Sequence, residues 1–224
     1  MTRRGLGMAS ALMVVAILGI AFYVGSGLPD DIRLPTHWGI DGKPDAFSDK
    51  WTALLLPAGV TAGVSLLFYF LPALEPRREG LARSQGLYLW GWTALLLMGA
   101  AIELVVLSAA LGWGIPANHL ITGAIGLMLL LIGNQLGKSR SMYMVGIRTP
   151  WTLASEEVWI KTHRLGGKLM VLAGGIMFVA ALLPIPSGLL ATVVIVAIAV
   201  AAIVPMVYSY MLWRRESSTQ HQSS

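Results

Sequence analysis

Six long apolar segments, separated by polar stretches, set the pattern of this chain. A helix of about 20 apolar residues crosses the roughly 30 Å hydrocarbon core of a bilayer. The fifth segment is the shortest and is expected to take residues 166–168 as its first turn. The pattern predicts an all-α membrane protein, a bundle of six spanning helices. The segments are residues 6–27, 52–74, 87–111, 117–136, 169–183 and 189–213.

The two longest polar stretches predict different local structures. Residues 28–51, LPDDIRLPTHWGIDGKPDAFSDKW, are dense in Pro, Gly and Asp, which favours a compact, turn-rich loop. In residues 137–168, the central segment, Ser155 is a good N-cap for a short helix near residues 155–165, and Gly166-Gly167 would end it. The sequence therefore predicts an amphipathic loop helix that lies at the membrane surface before the fifth span.

Lysine and arginine are distributed unevenly between the two sides of the predicted bundle. Thirteen of the 16 lie in the N-terminus, the second loop, the central segment and the C-terminal tail. The alternate side holds only Arg33, Lys43 and Lys50. Because loops rich in Lys and Arg stay in the cytoplasm, both termini and the central segment are predicted to be cytoplasmic. Residues 28–51 then form an extracytoplasmic loop.

The chain divides into two predicted units. Residues 1–75 form an N-terminal two-span unit that carries the extracytoplasmic loop, and residues 76–224 form a four-span region that carries the central segment. No internal repeat relates the two units, which argues against an inverted-repeat transporter. In the second span, Gly59 and Gly63 form a GxxxG pattern that predicts the close approach of another helix.

The composition supports the membrane class and excludes several functions. Of 224 residues, 56% are hydrophobic and only 12% are charged, about half the charged share of a soluble domain. The absence of cysteine excludes disulfides and thiol catalysis. The net charge of +5 invites a nucleic-acid partner, but no loop offers room for a basic binding domain, so none is predicted.

No sequence motif points to an enzyme. The chain contains no HExxH, no paired intramembrane carboxylates, no Gly-x-Ser-x-Gly and no phosphate-binding glycine loop. Glu156 or Glu157 with His163 would share a helix face, but that spacing recurs by chance in charged amphipathic helices. We therefore predict no catalytic residues, no metal site and no cofactor.

Two places outside the central segment hold candidate residues. His37 with Asp41 or Asp45 supplies too few ligands to fix a metal. The favoured interpretation is a folded lid whose His37 and Trp38 pack on the outer membrane surface. Glu103 lies roughly 15 Å deep in the third span, where an ionised carboxylate is costly. It is either a proton- or ligand-binding group or a protonated side chain hydrogen-bonded to a neighbouring helix.

Two stretches of the chain resemble a known family. Residues 133–168, GNQLGKSRSMYMVGIRTPWTLASEEVWIKTHRLGGK, closely resemble the hallmark segment of the SdpI family, with the core VGIRTPWTL-x-SEEVW-x-KTHRLGGK nearly unbroken. Residues 34–45, LPTHWGIDGKPD, resemble the small N-terminal domain of unknown function often found upstream of it. One departure is visible, since members often have Pro-Asn where this chain has Ser141 and Met142.

The resemblance implies a bacterial inner-membrane immunity protein, with the lipid bilayer as its surroundings. Its expected partners are a secreted killing peptide outside and a transcriptional repressor that it captures on the cytoplasmic side, which adds a role in signalling. His37, Trp38 and Asp45 are the candidate contacts in the extracytoplasmic loop. The candidate partner-binding residues of the central segment are Gly146, Arg148, Thr149, Trp151, Glu156, Glu157, Trp159, His163 and Arg164.

Two alternatives stay open. In one, the candidate residues of the central segment only tie the helix bundle together, with Arg148 paired to Glu156 or Glu157 and both tryptophans in the membrane interface. In the other, the chain is a proton-coupled transporter or channel that uses Glu103 as its coupling group, which predicts a polar cavity reaching Glu103.

Overall fold

Helices dominate the computed structural model, which describes residues 2–39 and 41–222. Within that part of the chain, six helices are long and apolar enough to cross a membrane, which confirms the predicted six-span bundle. A small two-stranded sheet and two short helices complete it. The elements are α1 (Arg3–Gly27), β1 (Arg33–Trp38), β2 (Pro44–Asp49), α2 (Lys50–Leu74), α3 (Arg78–Arg83), α4 (Gln85–Leu111), α5 (Ala117–Leu136), α6 (Pro150–Ala154), α7 (Glu156–Leu182) and α8 (Ser187–Gln222).

Polar side chains mark where spanning helices begin. The Asp49 carboxylate precedes α2 and accepts a hydrogen bond from the Thr52 backbone N–H at 3.0 Å. Hydrogen bonding by the Thr52 side chain, and then by its backbone N–H, lowers the pKa of the Asp49 carboxyl. The Ser155 hydroxyl precedes α7 and accepts from the Val158 N–H at 3.2 Å, which confirms the predicted N-cap. Each bond satisfies an amide that the first helical turn leaves without an intrahelical partner.

The turn-rich loop folds into an antiparallel β-hairpin. Its two strands pair with Arg33 opposite Asp49 and Trp38 opposite Pro44. Leu34 is buried in an apolar cluster with residues of α1, α2 and α4, and Trp38 packs against that cluster. The prediction of a compact loop is therefore correct, but the loop contains two paired strands that the sequence analysis did not predict.

A buried lysine fixes the base of this hairpin on α2. The Lys50 ammonium lies 2.9 Å from the Asp30 carboxylate and donates a hydrogen bond to the Leu28 carbonyl oxygen at 2.6 Å. The hydrogen bond and the positive charge of Lys50 lower the pKa of the Asp30 carboxyl. A lysine buried in this way needs such partners, because an unpaired ammonium away from water is unfavourable.

The loops collect at two ends of the bundle. The hairpin end holds β1, β2 and the turns that join α4 to α5 and α7 to α8. The arginine-rich end holds the start of α1, residues 75–84 with α3, residues 137–149, α6, the first part of α7 and the end of α8. Thirteen of the chain's 16 lysines and arginines belong to this second end.

The closest helix pair, α5 and α7, meets through glycines. Gly126 and Gly133 lie on α5, and Gly167 and Gly174 lie on α7, so each helix presents glycines seven residues apart on one face. A Cβ on Gly167 would lie 2.7 Å from the Gly133 carbonyl oxygen, and one on Gly174 would lie 2.5 Å from that of Gly126. Small residues let backbones approach this closely in a membrane, where packing drives helix association.

The predicted helix end at Gly166-Gly167 is wrong. One continuous helix, α7, runs from Glu156 to Leu182, so the amphipathic stretch is the first part of the fifth span and not a separate surface helix. The physical reason is tertiary packing. Both glycines are buried against neighbouring residues, and their lack of a Cβ lets those residues approach closely. A Cβ on Gly166 would lie 2.5 Å from Ile147 Cδ1.

The predicted close approach at Gly59 and Gly63 is also wrong within the single chain. Both glycines lie on an exposed face of α2, and a Cβ on either would meet no described atom within 4 Å. The GxxxG spacing therefore does not mark a helix contact inside this bundle.

Replacing Gly174 by alanine should destabilise the bundle, because the new Cβ would collide with the backbone of α5. We expect a loss of about 1–3 kcal/mol, the usual cost of overpacking. For a chain of this length, each kcal/mol lost lowers the melting temperature by roughly 2–4 °C. Thermal unfolding of the detergent-purified protein measures it.

The matched control is Gly175→Ala, where the nearest atom, Leu130 Cδ2, lies 4.0 Å from the new Cβ. This variant should keep the wild-type melting temperature or exceed it. Equal losses in the two variants would contradict the glycine interface between α5 and α7.

Candidate functional site

A buried carboxylate holds the irregular backbone of the central segment. Glu75 directly follows α2 and is 1% exposed. Its two oxygens accept hydrogen bonds from the backbone N–H groups of Tyr143 at 3.0 and 3.1 Å and of Met144 at 2.7 Å. The Arg77 N–H donates to the same carboxylate at 2.9 Å. Hydrogen bonds to a charged acceptor are about twice as strong as neutral ones, so this contact is a main anchor of the segment.

Arg77 adds side-chain contacts on the same stretch. Its guanidinium donates to the Ser141 hydroxyl, to the Tyr143 hydroxyl at 3.2 Å and to the Leu153 carbonyl oxygen at 3.1 Å. It also lies over the Tyr143 ring, 4.4 Å from the ring centre. Glu75 and Arg77 thus join the end of the second span to the segment between the fourth and fifth spans.

Two further side chains satisfy backbone amides of this segment. The Ser84 hydroxyl, just before α4, accepts from the Arg140 N–H at 2.8 Å. The Glu156 carboxylate, at the start of α7, accepts from the Ser141 N–H at 3.3 Å. Irregular backbone that is shielded from water needs such partners, because an unpaired buried amide is costly.

An aromatic stack forms the core beneath the segment. Trp159 and His163 lie one turn apart on α7, both fully buried, with ring centres 3.8 Å apart and planes at 16°. His163 Nε2 accepts from the Ile147 N–H at 2.9 Å, so His163 Nδ1 carries the proton that binds the Trp159 carbonyl oxygen at 2.8 Å. The Trp159 indole donates to the Ser139 hydroxyl at 3.2 Å. His163 is therefore a neutral structural side chain.

Gly146 is required where the segment crosses this stack. Its φ is +123°, a conformation that residues with a Cβ rarely adopt. A Cβ there would lie 2.7 Å from His163 Nε2 and 2.8 Å from the Trp159 ring. Backbone geometry and space thus both demand glycine.

The short helix α6 is tied to α7 and α8. Thr149 caps α6 by accepting from the Thr152 N–H at 3.2 Å, and the Thr152 hydroxyl accepts from the Thr149 N–H at 2.9 Å. The Thr149 hydroxyl lies 3.1 Å from the hydroxyl of Ser209 on α8. Trp151 packs on Tyr210 of the same helix, with ring centres 5.0 Å apart.

The charged candidates remain on the surface. Arg148, Glu156, Glu157 and Arg164 are exposed. Arg148 donates one hydrogen bond, to the Tyr143 carbonyl oxygen at 2.7 Å, and Glu157 pairs with Lys161. The alternative in which Arg148 pairs with Glu156 or Glu157 is therefore not what the structure has.

The nine candidates of the central segment thus separate into three groups. Thr149, Trp159 and His163 are buried and Gly146 is partly buried, and the contacts of these four are within the bundle. Trp151 is half-buried against α8, so only one of the two tryptophans is near a surface. The four charged side chains are the accessible part of the predicted partner-binding set.

At the hairpin end, two of the predicted loop residues meet. The His37 imidazole Nδ1 lies 2.5 Å from a carboxylate oxygen of Asp45 on the facing strand, and both side chains are largely exposed. Trp38 instead packs inward. In the part of the chain that the structure describes, no three His, Asp or Glu side chains form a group able to hold a metal ion.

A cavity of about 530 Å³, the hairpin-end cavity, lies beneath this hairpin. Thr36, His37 and Trp38 line it from β1, and mostly apolar residues of α4, α5 and α8 form the rest. At its mouth, the Asn118 amide donates to the Ser187 hydroxyl at 3.0 Å, which joins the starts of α5 and α8. The arrangement is an apolar site with a few polar groups at its rim, typical of a ligand site.

Glu103 is buried on α4 and stays apart from this cavity. Both of its carboxylate oxygens lack a hydrogen-bond partner among the described residues. The residues that line the hairpin-end cavity do not include Glu103. The structure therefore does not bring the predicted coupling group to that site.

Glu75 and Arg77 are the residues that sequence reasoning missed. They lie in the run Leu74-Glu75-Pro76-Arg77, directly after a span, where charges are ordinarily assigned to solvent. The available signal was a glutamate at a membrane boundary that carries mostly arginine and lysine.

Comparisons with known proteins confirm the predicted resemblance. Residues 138–209 match the SdpI/YfhL protein family, and residues 12–61 match a domain of unknown function, DUF1648. The chain is 26% identical over 190 residues to the Immunity protein SdpI of Bacillus subtilis (strain 168), which covers 84% of this chain and 86% of that protein. No solved structure matches the chain.

Replacing Glu75 by alanine should loosen the central segment, because three backbone N–H groups lose their acceptor. We expect a loss of about 1–3 kcal/mol in stability, the cost of leaving buried donors unsatisfied. Hydrogen–deuterium exchange should become faster at residues 140–147. The control is Glu79→Ala, an exposed carboxylate at the same end. Unchanged exchange in the Glu75 variant would show that this carboxylate is not the anchor.

Proposed function

We propose that this chain is an immunity protein of the bacterial cytoplasmic membrane that protects its cell against a secreted killing peptide. The observation that carries the proposal is its similarity, along 84% of the chain, to the Immunity protein SdpI. The similarity extends well beyond the central segment. A match of 190 residues in a chain of 224 necessarily includes parts of both predicted units.

The proposed orientation follows from charge. The arginine-rich end, with both termini, lies in the cytoplasm, and the hairpin end faces outward. Thirteen lysines and arginines against three support this orientation. A peptide that arrives from outside would then meet the hairpin and its cavity first.

The hairpin-end cavity is the proposed site of peptide recognition. An apolar side chain of the peptide would enter between α4, α5 and α8, and the exposed His37 and Asp45 would contact polar groups beside it. Support comes from the lining, which combines apolar helix faces with Thr36, Asn118 and Ser187. Apolar pockets with few polar groups bind chiefly by burial and use the polar groups for orientation.

The surface of the central segment is the proposed cytoplasmic contact. Arg148, Glu156, Glu157 and Arg164 are accessible there and carry both signs of charge, so they can pair with complementary charges of a protein. Capture of a repressor would use this surface. The comparisons give no support to that signalling role, so the proposal rests on immunity.

Transport and enzymatic activity are not part of the proposal. The transport hypothesis predicts a polar cavity that reaches Glu103, and the hairpin-end cavity is mostly apolar and lined by other residues. The sequence offers no catalytic motif.

Survival of a sensitive host tests the proposal. Cells that express this chain should survive the killing peptide, whereas cells with an empty vector should not. Arg148→Ala should lower protection by about tenfold in peptide concentration, because it weakens the proposed contact of the central segment with a cytoplasmic protein; tenfold corresponds to a loss of ~1.4 kcal/mol of that binding. Folding should persist, because the exposed Arg148 side chain makes one hydrogen bond among the described residues, to the Tyr143 carbonyl oxygen.

The control is Lys138→Ala, an exposed cation of the same segment. It should protect as well as the wild type at equal membrane abundance. If cells that express the wild-type chain are killed although the protein is inserted in the membrane, the proposed immunity function is wrong. Lower abundance of the Arg148 variant would instead assign that arginine a structural role.

Filling the hairpin-end cavity tests where recognition occurs. Ala191 lines this cavity from α8, and Ala191→Phe should abolish most protection while the protein still inserts. Val207→Phe is the matched control, because Val207 is 50% exposed on the same helix. Full protection by the Ala191 variant would place recognition elsewhere.

A further inference from the structure

A second concave site lies at the arginine-rich end, the end of the bundle opposite the hairpin. A cavity of about 470 Å³ opens between the starts of α1 and α4, the end of α2 and α3. Arg3 and Arg78 line it from two sides, and Gln85 and Tyr88 add polar groups. We call it the arginine cavity. Two guanidiniums that face one space favour an anionic occupant, since Arg binds phosphate through two parallel hydrogen bonds.

These guanidiniums are not neutralised by carboxylates of the described chain. The ion pairs found there include neither Arg3 nor Arg78. Arg3 lies over the Tyr69 ring, 5.2 Å from its centre, which leaves its N–H groups available. The nearest acids in sequence are Glu75, whose oxygens accept three backbone N–H groups, and Glu79, which is exposed.

An apolar groove lies alongside the arginine cavity. It has a volume of about 790 Å³ and lies between α1 and α2, with Ala11 and Leu66 among its walls and the Trp92 ring at its floor. Arg4 lines its end, and Tyr69, which contacts Arg3, borders it as well. A basic site therefore adjoins an open apolar channel that begins at the same end of the bundle.

We propose that the arginine cavity and this groove together bind one anionic phospholipid. Arg3 and Arg78 hold the phosphate of the headgroup, and one acyl chain lies between α1 and α2 against Trp92. Lipid is the occupant that charge and position favour, because the groove lies on spanning helices and its lining is almost wholly apolar. Basic pockets between spanning helices bind anionic headgroups in this manner. The site is independent of the proposed immunity function.

Lipid titration of the full chain in detergent tests the headgroup contact. Native mass spectrometry should show phosphatidylglycerol bound more tightly than phosphatidylcholine. Arg3→Gln combined with Arg78→Gln should weaken phosphatidylglycerol binding by about tenfold or more, equivalent to ~1.4 kcal/mol. Arg83→Gln combined with Lys138→Gln removes the same charge from the same end, outside the cavity, and should leave binding unchanged. Equal weakening by the two pairs, or no preference in the wild type, would overturn the proposal.

Two further arms separate a lipid from a free phosphate and test the groove. Inorganic phosphate alone should not raise the melting temperature as phosphatidylglycerol does, and an equal rise would show an anion site without lipid. Ala11→Phe fills the groove and should weaken lipid binding, whereas Ala9→Phe, on an exposed face of α1 outside the groove, should not. Unchanged binding by the Ala11 variant would refute the acyl-chain position. These variants keep both arginines, so the test stands even if the double arginine variant fails to fold.

Discussion

The need to satisfy backbone N–H and C=O groups governs this structure more than any other constraint. The spanning helices satisfy their own groups, but residues 137–149 form no helix and lie against the bundle. Their amides find Glu75, Ser84, Glu156 and His163 instead. These four acceptors come from three separate parts of the chain, the end of α2, the start of α4 and α7. The segment therefore acquires its shape only once α2, α4 and α7 have come together.

This constraint explains why the central segment contains both buried structural residues and exposed charged residues. Trp159 and His163 look like exposed recognition residues in a charged stretch, yet they form the packed floor on which Gly146 and Ile147 lie. Lys161, which lies between them in sequence, is exposed on the other side of α7 together with Glu157 and Arg164. The buried side chains hold the backbone of the segment in place, so the exposed Arg148 lies on a fixed backbone.

The six spans could be predicted because their hydropathy is dictated by the bilayer, and the Ser155 cap because capping is local. The continuity of α7 could not be predicted, because a Gly-Gly pair usually favours a helix end. Here Gly166 and Gly167 lie within the helix and pack against residues distant in sequence. The hairpin could not be predicted because Pro35 and Pro44 argue against strands. In a two-stranded sheet both strands are edge strands, and edge strands tolerate proline. Glu75 could not be assigned because nothing local distinguishes a buried carboxylate from a solvated one.

Glu75 has a consequence for how such chains can be recombined. It lies in the predicted N-terminal unit and outside both family-matched regions, residues 12–61 and 138–209, yet it binds the segment on which the second region depends. The two units are therefore not interchangeable modules. A four-span region transplanted without the residues that follow α2 would carry unsatisfied amides at its most distinctive segment. A recombined chain therefore needs both regions together with the short linker between the second and third spans.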